Sequence, residues 1–84
     1  MEKKELREQY YTAVEKTIEI TMYGFENLSD DFEKVDSLWY LGKIEDLVTS
    51  LRCMDLIDNQ MYANLYEEIE QANRKIKESM EEGE

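Results

Sequence analysis

The amino-acid sequence predicts an all-α protein, a small bundle of three antiparallel helices. Three observations lead there. Proline is absent from the 84 residues. No stretch alternates apolar and polar residues as a half-buried strand does. Apolar residues instead recur at three- and four-residue steps among strong helix formers. A chain of this length buries roughly 60% of the surface its unfolded form exposes, which leaves no room for a second core. Hydrophobic residues at 42% and aromatics at 11% exceed what a disordered chain carries. The expected organisation is a single helical domain over residues 1–76, with 77–84 a frayed or disordered acidic tail.

The first helix is expected from about Lys4 to Tyr23, with Leu6, Tyr10, Ala13, Val14, Thr17, Ile18 and Thr21 on one face. Gly24 suits the position just past a helix end, where glycine adopts the left-handed conformation cheaply; Phe25 would then pack back onto Ile20. A polar loop follows, and a second helix opens near Ser29 or Asp30. With Asp30 as N-cap, Glu33 falls in capping-box spacing and Asp31 adds favourable charge to the first turn. This helix runs to about Met54, with Leu41, Ile44, Leu47, Val48 and Leu51 on one face. After a break at Asp55-Leu56-Ile57-Asp58, Asp58 reads as the N-cap of a third helix and Ile57 with Tyr62 as its hydrophobic staple. Tyr62, Leu65, Tyr66, Ile69, Ala72, Ile76 and Met80 form its core stripe, partly at seven-residue spacing.

The middle helix contains Leu38-Trp39-Tyr40-Leu41-Gly42, where apolar groups project around the whole circumference. A helix that is hydrophobic all round is buried on every side, and two neighbouring helices cover little more than half of it. Three arrangements would cover the rest. The chain bends near Ser37, so that Phe32 and Val35 fold over Trp39; or two copies associate through Trp39 and its neighbours; or a different protein docks there, Trp and Tyr being favoured anchors. Gly42 would let another helix approach closely. The expectation is a homodimer, with Leu38, Trp39 and Tyr40 as the apolar contact residues.

Acids outnumber bases 21 to 10, a net charge of −11. Such a field repels nucleic acid and anionic membranes and attracts basic surfaces. The single cysteine, Cys53, forbids an internal disulfide and is expected to be a buried small residue. The stretch MEKKELREQ lacks the apolar core of a signal peptide, and no apolar run approaches the ~20 residues that span a bilayer, so a cytoplasmic location is expected.

Enzymatic readings find no support in the residues. There is no histidine, so neither a Ser-His-Asp nor a Cys-His arrangement can be built. Three separate glycines make no phosphate-cradling loop. Glu-x-x-His di-iron ligation is ruled out with the histidines, and Asp55-Leu56-Ile57-Asp58-Asn59 lacks the alternating ligands of a calcium loop. No catalytic residue, cofactor or metal is expected. The helix–turn–helix spacing around Asp55 is rejected on charge, because its second helix presents Glu67, Glu68 and Glu70.

Acidic display is what remains. Glu8, Glu15 and Glu19 lie within one narrow stripe of the first helix, and Asp30, Asp31 and Glu33 add charge at the next turn. Much of this is the solvated face of amphipathic helices. The sharper reading is that rows of carboxylates imitate nucleic-acid phosphates, although Lys16, Lys34 and Lys43 dilute them. In size and charge the chain resembles the small, acidic, helical proteins with which bacteriophages counter host defences, such as anti-CRISPR and anti-restriction proteins. The resemblance covers no motif. It gives no residue a role; the charge reading itself leads to a non-enzymatic inhibitor that places Glu8, Glu15, Glu19, Asp30, Asp31 and Glu33 in the basic groove of a nuclease or another nucleic-acid-binding protein. The alternative is a structural or assembly dimer, or a regulator that sequesters a basic protein, its acidity serving solubility.

Overall fold

The computed structural model describes the backbone of residues 2–27 and 31–82, and their side chains except at 31–33 and 82. Three helices account for nearly all of it: α1 (Lys3–Asn27), α2 (Asp31–Cys53) and α3 (Asn59–Glu82). Lys3 and Arg7, at the start of α1, bond to Asp55 just before α3, while Glu26, near the end of α1, pairs with Lys75 far along α3. Hence α1 and α3 run parallel and α2 runs against both. The result is a slender body of 49 × 18 × 15 Å.

The first helix does not stop at Gly24. It continues to Asn27, Gly24 has no positive φ, and the Asn27 Nδ2 donates to the Tyr23 carbonyl at 2.8 Å, anchoring the side chain onto the last turn. Consequently Phe25 does not fold back on Ile20, which is 72% exposed; it enters the core instead. The physical reason is the spacing of Tyr11, Ile18 and Phe25 at sevens. Continuing the helix buries Phe25 at a gain of about 1.5–3 kcal/mol, against a glycine penalty of about 1 kcal/mol. The buried face is also turned from the expected one: Val14 and Ile18 are buried with Tyr10, Tyr11 and Met22 packed beside them, whereas Ala13 and Thr17 are exposed.

The left-handed helix stop occurs at Asp55, with φ 61°. The Asp55 amide donates to the Arg52 carbonyl (3.1 Å) and the Leu56 amide to the Leu51 carbonyl (2.9 Å), the paired bonds of a Schellman motif. Leu51 and Leu56 both join the core there. Asp takes this backbone region more readily than most side chains. Asp58 caps α3 as expected: its Oδ1 accepts from the Met61 amide at 2.8 Å.

The α3 stripe is as the sequence predicts, with Leu65, Ile69, Ala72 and Ile76 buried and Tyr62 and Met80 packed against them. The helix runs past Lys77 to Glu82, farther than the expected onset of fraying, because Met80 still has core to cover. On α2, Leu41, Ile44, Val48 and Leu51 are buried, but Leu47 is 47% exposed. Cys53 is exposed rather than buried, since it projects away from the Val48–Leu51 side. Helix α2 is continuous through Ser37 and Gly42, which removes the bend. Nor does Gly42 admit a close neighbour within the chain: a Cβ there would meet nothing within 4 Å. Among the described residues, no buried side-chain nitrogen or oxygen lacks a hydrogen-bond partner.

Candidate functional site

Helix α1 presents its acids to one side. Glu15, Glu19 and Glu26 follow one another at four and seven residues, next to the Ile18–Met22 edge of the core, so they line the seam with α3. From α3, Met61, Glu68 and Lys75 recur at sevens on the edge that meets this row. Glu68 stands close to Glu15 across the seam. Its carboxyl is held above the usual carboxylate range, first by partial burial and then by the charge and hydrogen bond of Glu15 and the charges of Glu19 and Glu67. Proton uptake relieves this crowding, and so would a cation from a partner.

Below Glu68 the seam opens into a shallow groove. Its floor is apolar (Ile18, Met22, Ala72), its walls carry Glu19, Glu26, Glu68 and Glu78, and Arg74 and Lys75 stand at one side. Lys75 lies 3.4 Å from Glu26, both largely exposed, so that pair contributes little. A floor of this kind accepts the aliphatic stems of arginine or lysine while the walls take their charged heads.

Of the acids singled out in the sequence, Glu8, Glu15 and Glu19 do share a stripe, but it borders α3 instead of pointing away from the bundle; Glu8 and Glu19 are exposed and Glu15 is half-buried. Asp30 and the side chains of Asp31 and Glu33 lie outside the described residues. Glu26 and Glu68 join the set, and the signal for Glu68 was available: it stands three residues after Leu65 and one before Ile69, on the border of the core stripe. On the other border, Glu45 hydrogen-bonds Tyr66 and raises the phenol above its ordinary range.

The apolar five residues of α2 divide. Leu41 is fully buried and Leu38 packs against the core. Trp39 and Tyr40 are 59% and 54% exposed, their rings edge to face at 5.2 Å, and the Lys43 ammonium rests 5.2 Å from the Trp39 ring centroid. Neither α1 nor α3 covers them. Tyr40 shares a groove between α1 and α2 with Ile20, away from the acidic seam, and Tyr23 and Leu47 are exposed as well.

Among the described residues, no three His, Cys, Asp or Glu side chains converge so as to hold a metal ion, and no helix is long and apolar enough to cross a membrane. No family model matches this chain, and no curated protein or solved structure matches it either.

Proposed function

We propose that this is a non-enzymatic protein-binding protein whose α1/α3 seam receives a basic segment of a partner. The partner class is a nuclease or other nucleic-acid-handling enzyme, whose basic groove the carboxylates occupy in place of phosphates. The observation that carries this reading is the crowding of Glu15, Glu19 and Glu67 around Glu68. A structure that needed these acids only for solubility gains nothing from pressing them together at a half-buried seam. The adjoining apolar floor supports the reading, because it gives long basic side chains something to pack on.

The test is capture of partners from host lysate on the tagged chain, followed by affinity measurement across a salt series. The expected result is recovery of a nucleic-acid-binding protein whose affinity falls steeply as salt rises, and falls further when Glu19 and Glu68 are both changed to Lys. Affinity indifferent to salt, or to that double substitution, sinks the mimicry. A second reading, a structural dimer that organises other subunits, draws on the exposed Trp39 and Tyr40; it expects the Glu19 and Glu68 substitutions to do little.

A further inference from the structure

Tyr40 and Leu47 stand seven residues apart along α2, Met54 follows at the same spacing just past its end, and all three are exposed. Across a groove lined by Thr21, Gly24 and Ser37, α1 contributes exposed Ile20. The threonine hydroxyls on this side are spoken for: Thr17 donates to the Ala13 carbonyl at 2.8 Å and Thr21 to the Thr17 carbonyl at 2.9 Å. The large exposed side chains of this face are apolar and aromatic.

Its charge separates a second copy from other occupants. At a net charge of −11, two copies repel over most of their surface. The acids of the α1 row turn to α3, and Glu45 lies beside Tyr66 of α3. On the α2 stripe itself, Asp36 and Lys43 balance one another on either side of Tyr40. A basic partner is drawn to the acidic seam instead, whereas a second copy brings the same Asp36 and Lys43, of opposite charge, to this face.

We infer that this face is a homodimer interface, with two copies of α2 antiparallel about a two-fold axis passing between Trp39 and Tyr40. Residues equidistant from such an axis meet, so Asp36 faces the partner's Lys43 and the same contact repeats on the other side. Trp39 and Tyr40 lie at the centre, where aromatic anchors count most.

The experiment is sedimentation equilibrium of the full chain over a concentration series, with Asp36→Lys and Lys43→Glu. The wild type should pass from one to two chain masses as concentration rises. Each reversal turns two attractive contacts repulsive and should weaken the dimer on the order of tenfold. An equimolar mixture of the two variants should regain the dimer, because each offers the charge the other lacks. Unchanged circular dichroism verifies that both variants fold. A wild type that stays at one chain mass up to millimolar concentration overturns the inference, as does a dimer that neither reversal weakens. The readout involves no other protein, so it stands or falls apart from the role of the acidic seam.

Discussion

Helix α1 borders two seams of opposite character. Toward α3 it meets carboxylates that crowd one another over an apolar floor; toward α2 it leaves small residues and exposed aromatics with almost balanced charge. Both seams rest on the same core of Val14, Ile18 and their partners. The contrast teaches that a three-helix bundle can be complete in its interior and still carry two unfinished surfaces. One is unfinished electrostatically, the other in apolar contact.

The widest break is to remove the support common to both seams. Leu65 is fully buried, so Leu65→Ala should cost about 2–5 kcal/mol in urea unfolding; a smaller loss would mean that the two seams are held independently of it.

The acidic seam is sharpened by Glu68→Gln, which removes a charge that its neighbours disfavour. The folded state holds this proton more tightly than the unfolded chain, whose value is 4.5. Stability from this group is therefore highest at low pH and falls as pH rises from 4.5 through the raised folded value. The substitution should raise neutral-pH stability by under about 1 kcal/mol, solvent screening limiting the effect, and should flatten that slope. A loss of stability at neutral pH would contradict the crowding.

The smallest change in stability is expected at the other seam. Trp39→Ala should leave the monomer within about 0.5 kcal/mol, since the side chain is mostly exposed, while reducing self-association. A loss of several kcal/mol would show that Trp39 belongs to the core.

What the sequence disclosed depended on how one-sided each helix is. The α3 stripe was legible because its apolar residues keep to one line, and Asp58 announced its cap by type and position. The α1 stop was misplaced because Gly24 is a strong local signal, whereas the burial of Phe25 is decided by helices distant in sequence. Asp55 was legible as a break but not as a left-handed turn, a conformation in which glycine is the usual occupant. At the site, residue spacing put Glu15 and Glu19 on one stripe. Their meeting with Glu68 depends on α1 and α3 running parallel, which periodicity within one helix does not encode.

The Asp55 turn also joins the start of α1 to the α2–α3 hairpin. Lys3, Arg7 and Arg52 all reach its carboxylate, and Arg7 in addition approaches its carbonyl. The carboxyl is depressed below 3.8, chiefly by the Lys3 hydrogen bond and then by the cationic charges, which outweigh its desolvation. The contribution of this cluster is therefore present above pH 3.8 and is lost as pH falls through the lower folded value. In amide exchange, acid should release the first turns of α1 ahead of the α2–α3 hairpin, whose turn keeps its backbone bonds without the charge. Protection of the first α1 amides that does not change between neutral pH and acid would show that this exposed cluster does not hold the amino end.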